Sequence, residues 1–335
     1  MNTLKWIPIL ALSVIAISTQ SLIAQDGITT REPKSRQVSQ AYGFVLAQGY
    51  TLNRIETEYP DLAHAVRAAH FAFMSTGLGE GANALEAVLK NELADEWPTT
   101  KAKLEEQIHG LGAQRVLTRQ LAEQSIDEVK QRAKGKLPES IRNTLLATNP
   151  TYVKSPGAEL AAGWRQDFST LKHPKSEDAA ITIALPMSWS KRESTHDGVV
   201  QVFRNGAGNG PILCTIYCKK VLDDSDGDFT PEEMKELFSK SFIKEAIPKG
   251  AAFIEGRSMI IAGEIGAMQI YDMKEETLDV VMKARITNFV IAHKEHNIQV
   301  KFEIMEQFLE GLDMDQAQKA YFPTYRAIMS TLARN

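Results

Sequence analysis

By type and spacing, the residues of this chain best suited to chemistry are the carboxylates of Asp223-Asp-Ser-Asp-Gly-Asp228. Asp224, Asp226 and Asp228 stand at the first, third and fifth positions of a calcium loop, and carboxylate oxygens are the hard ligands that Ca²⁺ takes. The continuation departs from that loop. Phe229 stands where the sharp turn needs glycine, and Lys235 replaces the bidentate glutamate of the twelfth position. The competing reading is an acidic turn whose charge complements the positive end of the helix that follows. Gly77-Leu-Gly-Glu-Gly81 has the glycines of a phosphate cradle, but a dinucleotide site requires a strand before them, and His70–Thr76 continues a helical stripe. These glycines read as a helix–helix turn. The histidines do not cluster: His64 and His70 fall on different faces of one helix, whereas a zinc pair wants a spacing of four. His293 and His296 flank a turn, and two ligands do not close a site. There is no Gly-x-Ser-x-Gly elbow for a nucleophilic serine.

The two cysteines, Cys214 and Cys218, lie in an alternating segment that reads as a strand. There they share a face about 13 Å apart at ~3.3 Å per residue. A disulfide needs Cα atoms within roughly 7 Å, so they read as reduced, inert core thiols with no cationic neighbour to activate them.

The elements that must position these groups change character along the chain. From Val38 to Phe168 the apolar residues recur every three or four positions: Val38, Ala41, Val45 and Leu46; Leu62, Val66, Ala69 and Phe73; Leu85, Val88 and Leu89; Leu104, Ile108 and Leu111. That spacing predicts half-buried helices, and breakers such as Pro60, Pro98, Gly135, Pro138 and Pro150 divide the stretch into five to seven of them. Tyr42 and Phe44 fit the first stripe as core; exposed, they would anchor a partner.

Alternation replaces helical spacing near Ile181. Ile181–Leu185, Val200–Phe203 and Ile212–Val221 read as strands, with Arg204–Gly210 a glycine-rich hairpin loop that could rim a binding site. Thr230, Pro231 and Glu233 form a capping-box start, and one helix with core residues Met234, Leu237, Phe238 and Ile243 runs to Pro248. Strands at Ser258–Ala262, Ala267–Met273, Thr277–His293 and Ile298–Glu306 follow, with a hairpin turn at His293–Asn297 and a last helix over Met314–Leu332. The expected fold class is α+β: a helical N-terminal domain at 36–150, a linker at 151–176, and an antiparallel sheet covered by helices at 177–335.

Ile181-Thr-Ile-Ala-Leu-Pro-Met-Ser-Trp189, followed by a hairpin, a capped helix, a strand meander and a terminal helix, resembles the PsbP-like superfamily. That superfamily includes photosystem II accessory proteins, a Ran-binding nuclear protein and DcrB-type periplasmic proteins. The resemblance covers about 175–335 and none of the first half. It implies the fold and accessory or binding roles, and it supplies no catalytic residues.

Composition sets the cellular context. Lys5, the apolar run Trp6–Ile17 and the small residues up to Ala24 have the order of a secretory signal peptide, with cleavage expected after Ala24. Its apolar run is too short for a stable membrane span, and it carries no cysteine for lipid attachment. Lys5 is the one charged residue of 1–24, so the net charge of −4 becomes −5 after cleavage. That balance disfavours nucleic acid or an anionic membrane as partner. An exported chain without a structural disulfide fits a bacterial periplasm. The sequence thus points to a non-enzymatic binding or accessory protein of the periplasm, with an unknown protein or small-molecule partner and no cofactor. The alternative is an envelope hydrolase whose site is assembled between the two domains.

Overall fold

Apolar residues at helical spacing become buried stripes in the first half of the chain. The computed structural model describes residues 34–114, 116–220, 230–277, 280–293, 296–309 and 311–334, and these divide into two units between Trp164 and Arg165. The first unit holds six longer helices, α1 (Lys34–Glu58), α2 (Ala63–Met74), α3 (Gly77–Leu93), α4 (Trp97–Ala113), α5 (Arg119–Ala133) and α6 (Glu139–Thr148), then the short α7 (Pro150–Lys154) and α8 (Gly157–Ala161). Val38, Ala41, Tyr42, Leu52 and Ile55 of α1 are buried with Phe73, Leu85, Leu89, Ile126 and Leu145. Tyr42 is therefore core, its ring edge-on to Trp97 at 5.2 Å, while Phe44 lies under the Arg132 guanidinium at 4.8 Å. The fourth stripe fails at its end: Leu111 is 70% exposed, and Trp97 is the buried residue of α4.

The glycines of 77–81 lie inside the first turns of α3, after the Thr76 cap, whose hydroxyl accepts from Gly79 N at 3.3 Å. They let helices touch. A Cβ on Gly81 would stand 1.8 Å from the Leu145 carbonyl oxygen, so a side chain there would force α3 and α6 apart. Thr148 Oγ1 donates to Gly81 O at 3.3 Å across the same contact. The segment 151–176, expected as a linker, contains α7, α8 and the first strand, β1 (Arg165–Ser169).

Period-two alternation yields the second unit. Its strands are β1, β2 (Ile181–Pro186), β3 (Ser190–Arg192), β4 (Val199–Arg204), β5 (Ile212–Lys220), β6 (Ala252–Ile261), β7 (Glu264–Thr277), β8 (Val280–His293), β9 (His296–Met305) and β10 (Ala333–Arg334). A seven-stranded antiparallel sheet runs β3-β4-β5-β9-β8-β7-β6, and a small sheet runs β1-β2-β10. The chain passes from the small sheet to the large one through the turn in which Trp189 N donates to Pro186 O at 3.1 Å. Buried Trp189 and the Gln166 side chain, which donates to both Pro186 O and Trp189 O, hold that turn. Between β6 and β7, Ala262 and Gly263 both take positive φ, 51° and 86°, the geometry of a two-residue hairpin turn.

Two helical readings and two strand bounds are corrected. The helix expected from Thr230 to Pro248 is two helices, α9 (Pro231–Leu237) and α10 (Lys240–Glu245), because Ser239 turns extended and caps the second by accepting from Phe242 N. The Thr230/Glu233 capping box is present, with Thr230 N donating to Glu233 Oε2 at 2.8 Å and Glu233 N to Thr230 Oγ1 at 3.3 Å. The last helix, α11 (Met314–Ser330), starts from a second capping box, Asp313 with Gln316, and contains Pro323. The expected strand Thr277–His293 begins instead at Val280, and the strand expected over Ala267–Met273 extends to Thr277.

Register assigns each residue of the large sheet to a face. Phe203, Cys214, Phe302 and Thr287 are consecutive partners on one face. There Phe302 stacks on Tyr325 of α11 at 4.2 Å and meets Phe289 edge-on, and Phe168 of the small sheet meets Phe203 at 5.4 Å. Arg285, on the same face, donates to both oxygens of Asp272 at 2.7 and 2.9 Å and to Asp315 at the start of α11. The opposite face carries α9 and α10, where Leu237, Phe238 and Ile243 pack on Ala267, Val290 and Ala292.

Candidate functional site

Strand β9 occupies the middle of the large sheet, and all ten of its residues are buried. In sequence it alternates, Ile298-Gln-Val-Lys-Phe-Glu-Ile304, so burial on both sides puts its polar residues inside the protein. Gln299, Lys301 and Glu303 project onto the face under α10. Lys301 pairs with Thr215 of β5 on one side and Asn288 of β8 on the other, and Asn288 pairs with Gln269 of β7. A polar tract therefore crosses four adjacent strands. Thr215, Gln299 and Gln269 are each 1% exposed, Asn288 3%, Glu303 4% and Lys301 8%.

A relay of amides fixes what this tract presents. Gln269 Nε2 donates to the main-chain carbonyl of Ile243 in α10 at 2.9 Å. Gln269 Oε1 must then accept, and it does so from Asn288 Nδ2 at 3.2 Å; the same nitrogen donates to Gln299 Oε1 at 3.3 Å. Gly256 makes this approach of α10 possible, since a Cβ there would stand 2.5 Å from Ile243 Cγ2. At the far end the relay leaves Gln299 Nε2 as a donor and Asn288 Oδ1 as an acceptor, both buried and without a hydrogen-bond partner, and Thr215 Oγ1 is in the same condition. Buried polar atoms are nearly always paired, and leaving one unpaired costs about 1–3 kcal/mol.

Lys301 adds a charge to this cluster. Burial pushes its ammonium below the ordinary lysine range, and the Glu303 carboxylate two residues along opposes that shift. Its Nζ stands 5.9 Å from the centre of the Tyr217 ring, at the outer limit of a cation–π contact. The Tyr217 phenol is itself pushed up to about 12, first by burial. Apolar clusters flank the tract: Val199, Val202, Leu213, Tyr217 and Met305 on one side, and the α9/α10 cluster on the other. Elsewhere in the unit, a cavity of about 190 Å³ opens beside Asp272, Lys283 and Glu306. Three of its charged residues are paired, Asp272 with Arg285 and Lys283 with Glu306 at 3.1 Å, and Lys274 also lines it.

None of the tract residues stands out in the sequence. The residues that do stand out fare differently. Cys214 and Cys218 are free, buried, and on the face opposite the tract. Burial raises both thiols, Cys218 to about 12, which removes them as thiolate nucleophiles at neutral pH. His64 and His70 are exposed on α2. His296 is buried, its Nε2 2.6 Å from Glu177 O, an ordinary structural contact. The loop after Arg204 is held by Arg204 Nε donating to Gly210 O at 2.9 Å and Ile212 N donating to Asn205 Oδ1 at 2.8 Å. Among the described residues no group of acidic, histidine and cysteine side chains could hold a metal, and no helix is long and apolar enough to cross a membrane. Asp224, Asp226 and Asp228, and the expected leader 1–24, lie outside the described residues.

No family model and no curated protein matches this chain. Solved structures do. The chain is similar to a PsbP (CyanoP) of Synechocystis sp. PCC 6803, at 14% identity and a TM-score of 0.32, over 51% of this chain and 92% of that one. It is similar to LpqN of Mycobacterium tuberculosis, a protein involved in cell envelope biogenesis, at 12% identity and a TM-score of 0.32, over 53% and 98%. A Bacteroides thetaiotaomicron protein matches at 10% identity and a TM-score of 0.27, over 46% and 45%. The α+β fold itself rests on the strand register given above, and nothing about activity is taken from these likenesses.

Proposed function

We propose that this is a non-enzymatic binding or accessory protein of the bacterial periplasm, with a helical domain at 36–150 and a PsbP-like domain that holds a small ligand on the polar face of its sheet. One observation carries the binding role: Thr215, Asn288 and Gln299 each bury an unpartnered polar atom beside the buried Lys301. A core gains nothing from such a cluster, whereas a ligand that met these atoms would recover their hydrogen bonds. Export is supported by the basic, apolar, small order of residues 1–24.

Native mass spectrometry of the chain isolated from its own host tests both parts. The expected spectrum is a chain beginning at Gln25 that carries one small non-covalent adduct, lost on denaturation with the adduct chemically unchanged. A chain retaining Met1–Ala24 would end the export reading. A bare chain, with no adduct in any preparation, would end the ligand reading.

A further inference from the structure

We infer that the polar tract is a binding site for a small monocarboxylate with an apolar body, its carboxylate held by Lys301, Gln299 and Thr215. The inference rests on the ligand reading above and adds the ligand's chemical class.

The donors come first. Gln299 Nε2 is a donor by the logic of the relay that begins at Ile243 O. The Thr215 hydroxyl is free to donate, and the Lys301 ammonium can only donate. Register makes them neighbours: Thr215 faces Lys301 directly on the adjacent strand, and Gln299 precedes Lys301 by two on the same face. Three adjacent donors suit a carboxylate, whose two oxygens offer about four acceptor positions.

Charge narrows the class. A buried ammonium is costly until an anion meets it. Glu303 projects from the same strand face two residues on and is itself buried, so a second negative charge would meet a carboxylate already present. Each negative charge on a ligand is opposed by that carboxylate, so a singly charged ligand is favoured over a doubly charged one. The remaining orphan, Asn288 Oδ1, accepts and cannot bind a carboxylate oxygen; it is placed for a hydroxyl or N–H on the ligand body. That body would lie against the flanking apolar side chains, Val202, Leu213 and Tyr217 on one side and Val290 with Phe238 on the other.

Titration calorimetry on the whole chain, stripped of bound small molecules, tests this with sodium hexanoate, sodium acetate, 1-hexanol and sodium phosphate. Each buried methylene multiplies affinity about fourfold, so hexanoate should exceed acetate by up to about 200-fold. Hexanoate should also exceed hexanol by at least about tenfold, in keeping with a charge-assisted contact, and phosphate should give no heat of binding. Lys301→Met should remove the preference for hexanoate over hexanol. Should that variant fail to fold, Thr215→Val, nearly isosteric, should weaken hexanoate about threefold to tenfold and leave hexanol unchanged. Equal binding of hexanoate and hexanol, or hexanoate binding indifferent to both substitutions, would overturn the inference, and preferred binding of phosphate would replace its ligand class. If none of the four probes binds while the native spectrum shows an adduct, the monocarboxylate is wrong and the ligand reading stands. If the adduct is also missing, both fall.

Discussion

Alternate residues of one strand, β9, meet two different interiors. On the side of α11, Phe302 stacks on Tyr325, and the charged Arg285 beside it reaches both Asp272 and Asp315. On the side of α10, Lys301, Gln299 and Thr215 are equally buried, yet polar atoms of Gln299 and Thr215 end without partners. The first side is held by aromatic contact and by a guanidinium whose donors are met, although Thr324 Oγ1 and Tyr325 Oη of α11 are also buried without a partner. The second gathers three such atoms, from Thr215, Asn288 and Gln299, around a buried ammonium, and that concentration is what favours a ligand there.

The sharpest way to break this contrast is to truncate the two sides of β9 separately. Phe302→Ala removes a fully buried ring and should lower the unfolding free energy by about 3–5 kcal/mol in denaturant titrations. Lys301→Met, of similar volume, should leave the ligand-free protein as stable or raise it by up to about 2 kcal/mol, because it removes a buried charge. A comparable loss in both variants would mean that the tract is structural.

A smaller effect sharpens the same contrast through pH. Burial holds the Lys301 ammonium below its unfolded value, so the unfolded chain binds that proton more readily than the folded one. The resulting destabilisation is full below the folded pKa and fades as pH rises towards about 10.4, the unfolded value. The raised phenols and thiols act in the opposite direction at high pH, but they are common to wild type and variant and cancel in the difference. The stability advantage of Lys301→Met should therefore shrink as pH rises from 7 to 10. A gap that widens with pH would reverse the sign assigned to this lysine.

The smallest expected effect is none. Cys214 and Cys218 should react with a thiol reagent only after unfolding, and two thiols should then titrate without prior reduction. Rapid labelling of the folded chain would show that the sheet is open where β5 packs.

The contrast also explains which parts of the molecule were legible in the sequence. Val66, Ala69 and Phe73 repeat at helical spacing because burial on one side of a helix leaves a periodic mark; β5, buried on both sides, was readable as a run of apolar and β-branched residues. The Thr230/Glu233 cap was readable because its two partners are three residues apart. Ser239 was not, since a serine inside a segment that keeps helical spacing marks a cap only when the chain is seen to turn there. The tract was invisible for a stronger reason. Gln299 and Lys301 occupy the positions that an ordinary half-exposed strand gives to water. Their burial comes from elements far along the chain, and their neighbours Thr215 and Gln269 join them only through register. The glycines of 77–81 were read as a turn, while the feature that needs them, the approach of Leu145, is more than sixty residues away.

A side-chain amide carries no inherent polarity as a recognition element, because half a turn about its last bond exchanges oxygen for nitrogen. In this sheet that freedom is removed by a main-chain atom. The Ile243 carbonyl cannot reverse, so Gln269, Asn288 and Gln299 inherit their orientation from it in sequence. Whether the tract offers a hydrogen or a lone pair at Gln299 is thus decided three side chains away, by where a two-turn helix comes to rest. The code that a ligand reads is spelled by backbone and merely displayed by side chains.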